Sequence, residues 1–84
     1  METDYTFSGL IEQFGYDFEI VRGDERRKTQ GARTPNELMF LPGTDVVQGD
    51  VVVDSKDSSE LTVTETQTVW VRYGEPAGIV AKYK

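Results

Sequence analysis

The apolar residues of this chain recur at two spacings, and the change from one to the other divides it into elements. In FSGLIEQFG (7–15), Leu10, Ile11 and Phe14 fall on one side of a helical turn, Ser8 is placed to cap the start, and Gly15 suits the position just past the end. This predicts a helix of about two turns, which persists only if its apolar face docks on something else. From residue 16 the period drops to two. Tyr16, Phe18 and Ile20 alternate with Asp17 and Glu19 in YDFEIV (16–21), the pattern of a strand with one buried face. NELMFL (36–41) sets Leu38 and Phe40 against Met39 and Leu41. ELTVTE (60–65) sets Leu61 and Val63 against Thr62 and Thr64, and TVWVRY (68–73) follows closely enough to predict its antiparallel neighbour. GIVAKYK (78–84) puts Ile79, Ala81 and Tyr83 opposite Val80. VVV (51–53) does not alternate, which predicts a strand covered on both faces.

Between these runs lie turn signals: Pro42-Gly43, Gly49-Asp50, DSKDSS (54–59) and GEPAG (74–78). Gly49-Asp50 opens directly into the valines, as expected where a strand turns the corner of a small barrel. RGDERRKTQGARTP (22–35) holds two glycines, a proline and almost nothing apolar, and predicts a long loop. Short strands with turns at regular intervals and a helix near the start define the expectation. It is an all-β chain, a small antiparallel β-barrel or sandwich with one short N-terminal helix plugging an open end. Residues 1–84 read as a single β-barrel domain with a long loop at 22–35.

Composition sharpens this picture mostly by exclusion. A chain of 84 residues buries only about 60% of the surface it would expose unfolded, so the core is small and assembly is a natural way to complete it. There is no cysteine and no histidine. That removes disulfides, thiolate metal sites, the commonest general base and the commonest metal ligand. No catalytic, cofactor-binding or metal-binding residue is expected, no cofactor is implied, and the chain does not read as an enzyme. No apolar run approaches the ~20 residues that span a bilayer, and Met1-Glu2-Thr3-Asp4 lacks a signal-peptide pattern, so the reading is of a cytosolic product without a membrane partner.

Net charge is −6, which argues against a duplex-gripping surface. The charge is uneven, however. Five of the nine basic residues, Arg22, Arg26, Arg27, Lys28 and Arg33, fall within the expected loop. They are candidate assembly residues, placed to dock on an acidic neighbouring subunit, unless they form a merely solvated loop. With Val69 and Val71 turned inward, Trp70 and Arg72 face outward, and an exposed tryptophan on a strand is a contact anchor; a barrel covered on both sides would instead place Trp70 in the core. Asp45, Asp50, Asp54, Asp57 and Glu60 lack the spacing and central glycine of a calcium loop, and turn chemistry accounts for them. Arg22-Gly23-Asp24 spells an adhesion tripeptide with no secretion signal to give it meaning. Tyr5, Phe7, Tyr16, Tyr73 and Tyr83 do not align with the basic cluster, so they read as packing residues rather than a base-stacking platform.

LIEQFGYDFEIVR, then LMFLPGTDVVQGDVVV, then LTVTETQTVWVRYGEPAG follow one another in an order that resembles the neck proteins of tailed phages, the head-completion or head–tail connector (stopper) family. The shared pattern is a short helix, an FG step into a strand, a variable loop and an apolar strand. It continues with D-V/I-x-x-G-D leading into another strand, here Asp45-Val46-Val47-Gln48-Gly49-Asp50, and ends in a hairpin with an aromatic beside V-x-V. The resemblance implies a β-barrel subunit of the virion, assembled in the host cytoplasm into a homo-oligomeric ring of about six or about twelve copies. Its implied partners are the portal or adaptor above, tail proteins below, and packaged DNA in the channel without sequence-specific binding. Residues 22–35 would then order upon assembly. The alternatives are a tail-terminator or tail-tube subunit, and a cellular adaptor built on an SH3-like or oligonucleotide-binding-like barrel.

Overall fold

The computed structural model describes residues 7–72 and 74–84. Tyr5 and Tyr73 lie outside the described residues, as do the side chains of Phe7 and Arg72. The helix α1 (Phe7–Phe14) is followed by β1 (Tyr16–Arg22), β2 (Glu25–Arg33), β3 (Glu37–Phe40), β4 (Val51–Asp54), β5 (Glu60–Arg72) and β6 (Glu75–Tyr83). The strands close into an antiparallel barrel in the order β1-β2-β3-β6-β5-β4. The all-β expectation with one short N-terminal helix is therefore what the chain adopts.

The period-two pattern decides what the barrel contains. Phe18, Ile20, Leu38, Phe40, Val52, Leu61, Val63 and Ala81 point inward and are buried, with Val46 added from the segment before the corner. Tyr16, Ile79 and Tyr83 complete the filling. Tyr16 stacks on Phe18 at 4.7 Å between ring centroids, and Phe18 meets Phe40 edge-on at 6.2 Å. Gly49 turns the corner with φ at 95°, and its N–H donates to the Val63 carbonyl (2.8 Å) while the Val63 N–H donates to Asp50 (2.8 Å). The expected bend is thus pinned to β5 by the backbone. The valines of β4 do alternate: Val52 is fully buried, whereas Val51 and Val53 are half-buried on the outer face.

The helix packs against β2, β3 and β6, with Ile11 buried and Leu10 and Phe14 left exposed. The expectation that all three apolar residues dock is corrected: one does. Gly15 ends α1 without a positive φ. It is needed because a Cβ there would sit 2.4 Å from the Ile11 carbonyl oxygen and 2.8 Å from that of Gly31. Gly31 is equally confined, by the Met39 carbonyl and the Phe40 ring.

The long loop is the largest correction. Residues 25–33 form β2, paired with β1 along its length from Tyr16↔Gly31 to Arg22↔Glu25. Gly23 (φ 59°) and Asp24 make a two-residue turn, with positive φ at its first central residue to match the twist of the strands. β2 was hidden because its inward positions Arg27, Thr29, Gly31 and Arg33 carry no apolar side chain, although they alternate as a strand must. The second correction is that 60–65 and 68–72 belong to one strand, β5, whose partner in the hairpin is β6. The third begins β6 at Glu75, inside the stretch expected to be turn.

β5 and β6 outrun the barrel. β4 pairs only with residues 60–62 of β5, and β3 only with residues 79–82 of β6. Among the described residues, β5 beyond the corner has one strand neighbour, and so has β6 before Ile79. The two-stranded arm proper, Val69–Arg72 against Glu75–Gly78, is roughly 13 Å long at the usual rise of a strand, in a molecule measuring 42 × 24 × 21 Å. Pro76 fits because the outer edge of β6 has no ladder for its missing N–H to break.

Val52→Asp should leave the chain unfolded by far-ultraviolet circular dichroism. An unpaired buried carboxylate costs several kcal/mol, comparable to the ~4–13 kcal/mol that holds a domain of this length together. A soluble, folded variant would show that β4 is not a wall of the core.

Candidate interaction surface

Strand phase sorts the five basic residues of β1 and β2 into two groups. Ile20 is inward and lies opposite Arg27, so Arg27 and Arg33 share the inward phase of β2, and Arg22 shares that of β1. Arg26 and Lys28 take the outward phase. The inward phase of β4 contains Asp50, Val52 and Asp54, and both carboxylates are buried. Each meets one of the inward arginines.

At the corner, Arg22 grips Asp50 with two nearly parallel bonds, Nε to Oδ1 (2.8 Å) and Nη2 to Oδ2 (2.9 Å), while Nη2 also reaches Asp45 Oδ1 (3.0 Å). The Val47 N–H donates to Asp50 Oδ2 (3.0 Å). Arg27 closes the cluster, with Nη2 donating to the Asp45 carbonyl (2.8 Å) and Nη1 3.3 Å from the Asp45 carboxylate. At the other end of β4, Asp54 Oδ2 accepts from Arg33 Nη1 and from the Tyr16 hydroxyl, both at 2.8 Å, and Oδ1 accepts from the Lys56 N–H (2.8 Å). Arg33 also lies 5.4 Å over the Tyr83 ring, and its Nη1 reaches Asp57 (3.4 Å). The Tyr83 hydroxyl faces the Thr34 and Pro35 carbonyls at 2.8 and 3.0 Å.

These contacts set the proton affinities. The Arg22 fork lowers the Asp50 carboxyl below the ordinary carboxylate range, against the opposing effect of burial. For Asp54, burial pushes the other way most strongly, but the bonds from Arg33, the Lys56 N–H and Tyr16 together outweigh it and leave the group lowered. Burial and the bond to Asp54 raise the Tyr16 phenol to about 12. The acids that the sequence assigned to turn chemistry do make turns: the Ser59 N–H donates to Asp57 (2.9 Å). The expectation missed that Asp50 and Asp54 are also the buried counter-ions of the arginines. The available signal was the phase of DVVVD, which puts both carboxylates on the face of Val52.

The outward group looks different. Across β2, β1, β4 and β5, one outer row runs Arg26, Val21, Val51, Thr62, and the next runs Lys28, Glu19, Val53, Glu60. Arg26 pairs with Glu19 at 2.6 Å and is well exposed, and Lys28 is exposed. The half-buried Val21, Val51 and Val53 floor a shallow trough of 320 Å³ rimmed by Arg26, Ser58 and Glu60. A second depression, of 260 Å³, shares Val53 and adds Asp17, Glu19, Lys28 and Ser55. Trp70, on the arm, is 56% exposed, which decides between the two readings of that residue in favour of the outward one. The structure therefore does not gather the five cations into one free surface. Three brace the barrel; of the other two, Arg26 rims the apolar trough and Lys28 the adjoining depression.

No cluster of metal-ligating side chains occurs among the described residues, and no helix among them is long and apolar enough to cross a membrane. No protein-family model matches the chain, and no curated protein or solved structure matches it.

Stability should fall at both extremes of pH, for opposite reasons. A carboxyl lowered in the fold contributes above its unfolded pKa, and that contribution is lost as pH falls through and below the ordinary carboxylate range. Asp54→Asn should flatten the acid limb of a Tm-against-pH curve and cost roughly 2–3 kcal/mol at neutral pH. A phenol raised to about 12 contributes fully below about 10, and the contribution disappears between about 10 and 12. Tyr16→Phe should remove that alkaline limb; an unchanged limb would mean the phenol's bond to Asp54 does not form in solution.

Proposed function

We propose that this protein is a structural subunit of a tailed-phage neck, assembling as a ring that closes the DNA-filled head beneath the portal and presents a docking face to the tail. The order of helix, FG step, apolar strand, Gly-Asp corner and aromatic hairpin supports the reading. The observation that carries it furthest is the β5–β6 arm, which leaves a barrel already filled by its own side chains and displays Trp70 to solvent. A two-stranded arm has little independent stability, and it gains by lying on a neighbour. The barrel's own chemistry is spent internally: Asp50, Asp54, Arg22 and Arg33 hold one another. What remains for use is surface, and a surface of this kind suits assembly. The net charge of −6 would let DNA pass a channel wall without sticking.

Mixing the purified chain with DNA-filled phage heads that lack it should protect the packaged DNA from nuclease and restore tail joining. Heads that bind no chain and accept no tails would reject the neck assignment in favour of a cellular adaptor.

A further inference from the structure

Trp70 and the valine trough are complementary, but they cannot meet within one molecule. Glu60 rims the trough and begins β5, and Trp70 lies ten residues further along the same extended strand. Ten residues of strand extend to at most about 33 Å, and β5 stays paired to β6 from Val63 to Arg72 without folding back, which carries Trp70 beyond the reach of an indole from the trough. An occupant for the trough that this chain itself supplies must therefore come from a second copy.

We propose that Trp70 of one copy seats in the trough formed by Val21, Val51 and Val53 of the next. The trough, at 320 Å³, is of the size to take a large aromatic side chain, and its floor is aliphatic. Arg26 stands at the rim, where a guanidinium can lie against the indole face, and it stays neutralised by Glu19 while doing so. Because anchor and socket are different surfaces, the contact is head-to-tail. Each copy offers a free Trp70 at one side and a free trough at the other, so repetition closes a ring or runs on as a filament. The contact also gives the exposed face of the arm a surface to rest on. This inference deepens the ring assignment by naming the residues in contact, and it rests on that reading only for the expectation of closure.

Sedimentation velocity on the full chain tests it. The wild type should associate in a concentration-dependent way. Trp70→Ala and Val53→Lys should each raise the dissociation constant by about thirtyfold or more, the loss expected for a buried tryptophan anchor, with circular dichroism unchanged. Val53→Lys leaves the new cation between Glu19 and Glu60 in the outer row, which favours folding; Val51→Thr serves as a gentler second variant. Phe14→Ser, at the other exposed aromatic, should associate as the wild type does. The decisive sample mixes Trp70→Ala with Val53→Lys: one carries an intact trough and the other an intact tryptophan, so the pair should form a one-to-one heterodimer and grow no further. A monomeric wild type, a Trp70→Ala variant that associates normally, association lost in Phe14→Ser instead, or a mixture that stays monomeric overturns the contact. Association through this contact without any joining to heads would keep the contact and reject the neck assignment, so the two ideas fail separately.

Discussion

Asp50, one residue ahead of the four-residue strand β4, continues the face of Val52 and Asp54, so a barrel that buries Val52 in this way also buries two carboxylates. Such groups are tolerated inside a protein only when paired and fully hydrogen-bonded. The chain meets this constraint with an inward arginine from each of its first two strands. Arg22 lies beside Asp50 because β1 and β4 are antiparallel neighbours with Val21 opposite Val51. Arg33 reaches Asp54 from the far end of β2, with Tyr16 and the Lys56 amide satisfying the remaining lone pairs. The barrel closes at both ends of β4 through these two brackets. Closure in turn fixes which residues remain for anything else.

The outer surface follows from the same alternation. Two of the inward arginines have outward neighbours on their strands: Val21 beside Arg22, and Arg26 and Lys28 on either side of Arg27. The outward phase of β4 adds Val51 and Val53. Three valines on this otherwise polar outer face, Val21, Val51 and Val53, depart from the usual apolar-in, polar-out alternation of antiparallel sheets. Half-buried valines flanked by Arg26, Lys28, Glu19 and Glu60 form a shallow trough with a charged rim, resembling the apolar centre and polar border of a protein interface. The arm carrying Trp70 is the other product of strand length, since β5 at thirteen residues is far longer than its neighbour β4 at four.

What the sequence determined by itself was local and periodic. Alternation placed Phe18, Ile20, Leu61 and Val63 in the core and grouped Leu38 with Phe40 and Ile79 with Ala81 without deciding which face turns inward, and Gly49-Asp50 marked the corner, because side-chain direction along a strand and the positive φ of a turn glycine are properties of the chain alone. β2 was illegible because its inward positions are polar or glycine, and only the carboxylates arriving from β4 make that phase buriable. The continuity of β5 through residues 66 and 67 was also undecided locally, since a polar Thr-Gln pair reads equally as strand or turn until β6 lies alongside it. Tertiary structure alone decided that Arg22 and Arg33 are internal braces rather than free cations, and that the arm carries Trp70 away from the trough. Both outcomes depend on which strands become neighbours, and neighbours in a closed barrel are set by register between distant segments rather than by any segment's own composition.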